Sequence, residues 1–467
     1  MLYTEFYVVP TSVDPTASIL NGGSGGTPLI FNNCSLGSGV VTGTTGLVVG
    51  DWITWDTAGT KNRCIVTGAS PVIISPTDGS SLPTTAIMKT LIARGNWADP
   101  STVTGLTTAS VNAAGNPPRL NIYEPATYTV GMTAGTFTAA IPLTVEGYAA
   151  TPGDLRGTMT APLIQPASGT VVSINGGHIT FRNIRVSVTN SARGFFVNGG
   201  TEVNFINCTG GGVTPEDVFY YFTAFGGLMD TCLVTSGGDA YHAAVNLNNC
   251  YGITITGLRV TGLNAGALSA IALPYTQGVT VVNSYFVGFT GDCVSLNNAS
   301  SYVALLSNTA HNIVGNFVDG STAELGGLII ENSIFCNLTG SGNGLVVKST
   351  AGSRVCLARY AHNLEYNIGG RFSANILDNS EDIVTGSNPF ANGNEIPTGG
   401  ALSHQELMAD GVLYTYPDLG AMQTLSTNPG VGNVKGPPSA VTYYFGGVLY
   451  TGTGANISGR GGFIFGD

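Results

Sequence analysis

The sequence predicts an all-β protein built around a right-handed parallel β-helix, a solenoid in which each coil adds one strand to three parallel sheets. Short apolar, β-branched runs recur along the chain with a period of about 25 residues. The composition agrees with this pattern, because 67 glycines among 467 residues suit many short strands joined by tight turns. Apolar residues at helical spacing and a leucine-rich pattern are both missing, so helical and leucine-rich solenoids are disfavoured.

The repeat is clearest in the middle of the chain. One series of strand-like runs has centres separated by 24, 24, 26, 26, 25 and 24 residues, at Asn183, Asn207, Thr231, Gly257, Asn283, Asn308 and Asn332. A weaker copy aligns at Ala358. A second series lies between these centres, with the runs GFFVNGG, VFYYFTA, AAVNLNN, SAIALPY, CVSLNN and GLVVKS.

The residue types at the centres suit sharp corners of a coil. Asparagine and glycine tolerate left-handed backbone conformations, and asparagine side chains can form ladders between successive coils. Inward side chains would stack on the same position of the next coil, roughly 4.8 Å along the axis. The eight cysteines show no zinc-binding spacing, and we expect them to be buried free thiols.

The pattern divides the chain into three regions. Residues 1–95 contain strand-like runs without the period and are interpreted as a β-rich cap or attachment region. Residues 96–423 form the predicted β-helix, with opening coils from about Arg119. Residues 424–467 are rich in Tyr, Phe and Gly and are interpreted as a β tail that contacts another subunit; a simple C-terminal cap is the alternative.

Charge and hydropathy exclude several classes. The net charge of −11 leaves no basic patch for nucleic acid. No run of about 18 apolar residues predicts a membrane span. The N-terminus MLYTEFYVVPTS lacks a signal peptide, so we expect synthesis in a cytoplasm and release by a route such as lysis.

Two stretches give the array a family resemblance. The run IYEPATYTVG…PLTVEGYAATPGDLRG resembles the opening of β-helix proteins commonly encoded by bacteriophages, and PDLGAMQ resembles the ending of bacterial surface β-helix proteins. The array as a whole looks like the pectate-lyase-like superfamily, which includes polysaccharide lyases, polygalacturonases and phage tailspikes. The resemblance implies the fold, and only weakly a function, because one fold hosts many activities.

The candidate catalytic residues are Asp239, His242 and Asp292. The stretch TGDCVSLNN around Asp292 is similar to a polygalacturonase stretch with two adjacent aspartates, but Gly291 occupies the first position. Asp239 lies about two coils earlier and could share a face with Asp292 at roughly 10 Å. The alternative is that an aspartate after glycine serves only as a turn residue.

The candidate sugar-binding residues are Tyr220 and Tyr221, in the run VFYYF. Alternate rings of a strand lie on opposite faces, so one set would belong to the core and the other could stack on sugars. The sequence predicts no metal site and no cofactor.

Together these features favour a structural component of a phage virion, such as a tail fibre, tailspike or capsid-attached fibre. Its expected partners are further copies of itself in a homotrimer, other virion proteins and a host surface polysaccharide. A polysaccharide lyase or glycoside hydrolase is the main alternative, and a bacterial surface adhesin is the third. Few charges and an assembly-prone tail suit the virion component.

Overall fold

The computed structural model describes residues 3–373 with gaps at 11–28, 58–59, 77–81, 94–95, 98, 104–105, 107–115, 125, 150–160, 190–191, 214, 240, 265, 341–343, 350–353 and 362, and beyond them only five short strands. The fold is all-β, with a right-handed parallel β-solenoid of about nine turns and a small antiparallel sheet near the N-terminus. The predicted fold class is thereby confirmed. The chain divides into two compact units, Met1–Ser187 and Val188–Asp467.

The strands of the first unit are β1 (Thr4–Val8), β2 (Leu29–Gly37), β3 (Val40–Thr42), β4 (Trp52–Thr57), β5 (Thr60–Ala69), β6 (Val72–Pro76), β7 (Ile87–Ala93), β8 (Asn96–Trp97), β9 (Pro118–Tyr123), β10 (Thr127–Tyr128), β11 (Met132–Ala134), β12 (Leu143–Tyr148), β13 (Leu163–Ile164), β14 (Val172–Ile174), β15 (Ile179–Arg182) and β16 (Arg185–Val188). A short 3-10 helix covers Pro100–Thr102.

Two architectures share the first unit. Strands β2 to β7 close into an antiparallel barrel around a core that includes Cys34, Trp55 and Cys64. Strand β1 instead pairs in parallel with β9, which pairs in parallel with β12, so residues 4–8 belong to the solenoid. Arg119 on β9 joins these strands through hydrogen bonds to Glu5 and Glu146.

The strands of the second unit are β17 (Phe195–Asn198), β18 (Val203–Ile206), β19 (Thr209–Gly212), β20 (Phe219–Phe222), β21 (Phe225–Asp230), β22 (Leu233–Val234), β23 (Val245–Asn248), β24 (Tyr251–Thr256), β25 (Arg259–Val260), β26 (Ser269–Ala272), β27 (Gln277–Val282), β28 (Tyr285–Val287), β29 (Asp292–Leu306), β30 (Thr309–Val314), β31 (Val318–Glu331), β32 (Ile334–Thr339), β33 (Leu345–Lys348), β34 (Arg354–Ala361), β35 (Leu364–Ile368), β36 (Gly370–Phe372), β37 (Ile383–Val384), β38 (Leu407–Ala409), β39 (Val412–Tyr414), β40 (Val441–Phe445) and β41 (Val448–Gly452).

Three parallel sheets run through this unit. Sheet 1 contains β17, β20, β23, β26, the first halves of β29 and β31, β33 and β36. Sheet 2 contains β18, β21, β24, β27, the second halves of β29 and β31, and β34. Sheet 3 contains β19, β22, β25, β28, β30, β32, β35 and β37.

The corner residues follow the predicted period with one correction. Asn183, Asn207, Thr231, Asn283 and Asn332 all have φ between 50° and 53°, as does Ser307. Asn308 was expected at that corner, but it is buried one position further, inside the coil. The last repeat is also longer than predicted, because Glu331 pairs with Ala361 rather than with Ala358.

The interior is a stack of like side chains. The rings of Phe195 and Phe219 stack with centroids 5.1 Å apart, and Phe205 packs edge-on against Tyr221 at 5.6 Å. Seven cysteines are buried free thiols, as predicted, and the side chain of Cys356 lies outside the described residues. The predicted boundaries at residues 95 and 423 remain predictions, and the stretches TPGDLRG and PDLGAMQ lie outside the described residues.

Candidate functional site on the outer face of sheet 1

The outer face of sheet 1 carries most of the reactive side chains of the second unit. Neighbours on successive strands pair in register as Phe196, Tyr220, Asn246, Ala272, Ser295, Asp319 and Lys348. Because strand residues alternate, these positions point away from the inward stack of Phe195 and Phe219. Carboxylates gather at two places along this face.

The first place is the Asp217 cluster, which we define as Arg193, Glu216, Asp217 and Asn246. The side chain of Asp217 is fully buried. Its Oδ1 atom accepts hydrogen bonds from the backbone N–H of Ala243 and from Nδ2 of Asn246, both at 3.2 Å. Burial raises the pKa of Asp217 to about 6, although the charge of His242 partly offsets that effect.

Arg193 covers this carboxylate without a close hydrogen bond. Its Nε lies 3.7 Å from Oδ2 of Asp217 and 3.9 Å from Oε2 of Glu216. The guanidinium carbon lies 4.2 Å from the ring centroid of Tyr220 and 4.9 Å from that of Phe196. Arg193 is therefore held mainly by cation–π contact and by long-range attraction.

Asp239 and His242 form a hydrogen-bonded pair at the edge of this cluster. His242 Nδ1 lies 2.7 Å from Oδ1 of Asp239, and the same oxygen accepts the backbone N–H groups of Tyr241 and His242. Partial burial opposes the effect, yet these hydrogen bonds lower the pKa of Asp239. The pair orients one ring nitrogen of His242, as a catalytic or ligand-binding histidine requires.

The second place is the Asp292 pair, which we define as Asp292 and Asp319. Oδ1 of Asp292 accepts the backbone N–H of Asn316 at 2.7 Å and its side-chain amide at 2.8 Å. Burial, repulsion from Asp319 and a hydrogen bond with Asp319 raise the pKa of Asp292 to about 6. Two carboxyl groups in such contact favour sharing one proton.

The spacing predicted between Asp239 and Asp292 agrees with the strand register. The carbonyl of Asp239 accepts the N–H of Leu268 at 2.7 Å, and the next residue, Ser269, pairs with Asp292. The two aspartates therefore lie two coils apart. Each contacts its own partners, however, and a role shared by both in one site remains a prediction.

The two candidate tyrosines occupy different environments. Tyr221 is fully buried in the coil, where its hydroxyl donates to the carbonyl of Val203 at 3.1 Å. Tyr220 lies on the outer face beneath Arg193, and its oxygen lies 3.4 Å from Nδ2 of Asn248. Of the two rings, Tyr220 is the one placed near the surface.

Exposed aromatic rings mark the corner between sheets 1 and 2. We define the aromatic strip as Phe222, Phe225, Tyr251, Tyr275 and Tyr302, which are 37–53% exposed. Phe225 and Tyr251 stack with centroids 5.1 Å apart. The strip follows four consecutive coils and begins beside Tyr220, whose ring centroid is 6.2 Å from that of Phe222.

Sequence reasoning missed several members of these groups. Arg193, Asn246 and Asp319 stand alone in the sequence, and Asp217 lies in the run TPED, which reads as a turn. The available signal was the register, because Asp217 and Asp292 both lie two residues before a strand of sheet 1 aligns with its neighbour. Within the described ranges, no group of three or more His, Cys, Asp or Glu side chains is arranged to hold a metal ion.

Comparison with known proteins extends only to solved structures. No family model and no curated protein matches the chain. An alginate lyase from Paenibacillus sp. str. FPU-7 is 11% identical, with a TM-score of 0.39, over 58% of this chain and 97% of its own. The Dettilon tailspike protein is 11% identical, with a TM-score of 0.34, over 58% of this chain and 62% of its own.

A third solved structure is ORF18 of Geobacillus virus E2, which is 10% identical, with a TM-score of 0.28, over 60% of this chain and 57% of its own. The chain thus spans less than two thirds of the length of both viral proteins. At these identities and TM-scores the likenesses carry no argument about function, and the fold rests on the strand pairing described above. In the described part of the chain, no helix is long and apolar enough to cross a membrane.

Proposed function

We propose that the protein is a structural component of a bacteriophage virion, of the tailspike or fibre kind, that binds a host surface polysaccharide. The observation that carries the proposal is the aromatic strip, five partly exposed rings on four consecutive coils. Exposed aromatic surface of this extent is typical of a binding site rather than of chance exposure. Low charge, the solenoid and the resemblance of its opening coils support a particle component.

Saccharides match this surface chemically. A sugar ring has apolar C–H faces and a rim of hydroxyl groups, so it needs aromatic contact together with a few well-placed polar groups. The strip supplies the aromatic contact, and Asn248 and Asn249 lie beside it; Oδ1 of Asn249 accepts the hydroxyl of Tyr251 at 3.3 Å. Successive coils lie roughly 4.8 Å apart, so the strip would contact a glycan over several sugar units.

The test is binding of purified surface polysaccharides from a panel of bacteria, measured by biolayer interferometry. We expect F225A, Y251A and Y275A each to weaken binding by about tenfold, because each removes contact worth roughly 1–2 kcal/mol. V314A, which shortens an exposed side chain on sheet 3, serves as the matched control. Binding that all three aromatic variants retain in full would contradict the proposal.

A second candidate function rests on the Asp292 pair. A carboxyl with a pKa of about 6 beside a second carboxyl can protonate a glycosidic oxygen while its neighbour acts as base or nucleophile. If the protein hydrolyses its glycan, D292N and D319N should each abolish the release of reducing ends while binding to the aromatic strip persists. Absence of reducing ends from every polysaccharide that binds would leave the binding function alone.

A further inference from the structure

Three buried polar atoms of the Asp217 cluster have no hydrogen-bond partner in the protein: Oδ2 of Asp217, Oδ1 of Asn246 and Nε of Arg193. They belong to side chains in mutual contact, since Asn246 donates to Asp217 at 3.2 Å and Arg193 lies 3.7 Å from Asp217. Leaving such atoms unsatisfied costs about 1–3 kcal/mol each. The cluster therefore calls for a group that the protein itself does not supply.

The unsatisfied atoms define the chemistry of that group. Two are acceptors and one is a donor, so the complementary group must donate two hydrogen bonds and accept one. Hydroxyl groups do both. A carboxylate would direct lone pairs at Oδ2 of Asp217 and Oδ1 of Asn246, and an ammonium has no lone pair to accept from Arg193.

Charge points the same way. Glu216 and Asp217 outnumber the single cation Arg193 inside the cluster, and Asp239 lies at its edge beside His242. An anionic sugar would meet this excess of negative charge and be repelled. The site is thus selective for uncharged hydroxyl groups.

Access depends on Arg193. Asp217 and Asn246 are at least nine-tenths buried, whereas the side chain of Arg193 is 30% exposed. Its distances of 3.7 and 3.9 Å to the carboxylates are too long for hydrogen bonds. Rotation of this side chain would break no close hydrogen bond to the acids and would expose Oδ2 of Asp217.

We propose that the Asp217 cluster is a subsite for two adjacent hydroxyl groups of a neutral sugar. The hydroxyls donate to Oδ2 of Asp217 and Oδ1 of Asn246, and one of them accepts from Nε of Arg193. This assignment rests on the proposed polysaccharide binding and names the class of sugar that the surface takes. The contribution of the cluster is selectivity, whereas the aromatic strip supplies contact area.

The experiment uses the full chain and small probes, so that only one subsite is occupied. The methyl pyranosides of glucose, galactose and mannose, together with methyl galacturonate glycoside as the charged probe, are titrated by saturation-transfer difference NMR. We expect at least one neutral glycoside to bind, and its deoxy analogue lacking one hydroxyl to bind at least tenfold more weakly. The uronate should not bind.

Two variants and one control locate the site. D217N and N246A should each reduce binding of the neutral glycoside at least tenfold, with the far-ultraviolet circular dichroism unchanged. D292N removes an equally perturbed carboxyl three coils away, roughly 14 Å, and should leave binding intact.

The outcomes separate the two proposals. Uronate binding equal to that of the neutral sugar, or full binding by D217N and N246A, overturns the subsite. Polysaccharide binding that needs the aromatic strip, with no methyl glycoside bound, also overturns the subsite and shows that the three atoms bind an ordered water only. Loss of polysaccharide binding altogether overturns the proposed function as well.

Discussion

Two buried aspartates on sheet 1, Asp217 and Asp292, have pKa values raised from 3.8 to about 6. A carboxyl with a raised pKa binds its proton more tightly in the folded state than in the unfolded state. Its contribution to folding is therefore present below about pH 4 and lost as the pH rises through about 6. Asp239 behaves in the opposite way, because hydrogen bonds lower its pKa.

Replacement of Asp292 by asparagine should stabilise the protein at neutral pH. The amide removes the buried charge and can donate to Asp319, so we expect D292N to raise the free energy of unfolding at pH 7.5 by about 1–3 kcal/mol. At pH 3.5 the gain should vanish. Urea unfolding at the two pH values measures this difference.

The matched control is D239N, at a carboxyl with the opposite pKa shift. That substitution should destabilise the protein at pH 7.5 and have less effect at low pH, because the hydrogen bonds to Asp239 favour the ionised form. A D292N variant less stable than the parent at neutral pH would show that the carboxylate is better satisfied than its burial indicates.

Successive strands are also linked by an internal polar ladder. The backbone N–H of Ser284 donates to Oδ1 of Asn308, that of Asn308 donates to Oγ of Ser333, and that of Ser333 donates to Oδ1 of Asn363. Nδ2 of Asn308 also donates to the carbonyl of Val281 at 3.0 Å. The ladder satisfies backbone groups where the inner corner interrupts the sheets.

We expect N308A to destabilise the protein by roughly 3 kcal/mol, because it leaves the N–H of Ser284 and the carbonyl of Val281 buried without partners. The control is N337G on the accessible ladder of sheet 3, where Asn337 has φ of 56° and donates to Asn312 at 2.8 Å. Glycine adopts this backbone conformation freely, so N337G should cost under about 1 kcal/mol. Equal losses in thermal unfolding would contradict the importance of the buried ladder.

The N-terminal strand of the first unit depends on one arginine. Arg119 donates to both oxygens of Glu5 on β1 and to Glu146 on β12, and Glu146 is fully buried. R119M should destabilise the unit by about 3–5 kcal/mol, since it leaves two carboxylates unpaired. Hydrogen exchange should show β1 losing protection, whereas R185M, at an exposed arginine, should leave it unchanged.

The period of the solenoid could be predicted because every coil offers a strand the same environment. Exceptions arise where two neighbouring residues both suit a corner, as at Ser307 and Asn308, and only packing decides which turns inward. The contact between Asp239 and His242 is local, and the sequence placed both in one candidate site. Arg193, Asp217 and Asn246 come from three successive coils, so their meeting depends on register to the residue.

Composition becomes informative at the scale of the whole molecule. Charged residues make up 9% of the chain, against about 25% in ordinary soluble proteins, and the exposed aromatic strip adds apolar surface. Such surfaces need partners, and sugar binding accounts only for the strip. The tail remains to be explained.

The tail, residues 424–467, should hold subunits together. Of these residues the structure describes only the backbone of β40 and β41, which pair in antiparallel fashion with each other. An isolated two-stranded hairpin is marginally stable in water, and its edges offer unpaired N–H and carbonyl groups. A second copy of the chain can satisfy both needs, and three copies give a closed arrangement without a free edge.

We therefore expect the full chain to have a native mass of three times 47.8 kDa by light scattering, and residues 1–423 alone to be monomeric. The shortened chain should keep its β-rich circular dichroism, because the strands of the solenoid pair before the tail begins. It should also keep its affinity for a monovalent glycan, while binding to polysaccharide weakens as the three linked sites are separated. A full chain that stays monomeric would show that the tail closes the solenoid of its own subunit instead.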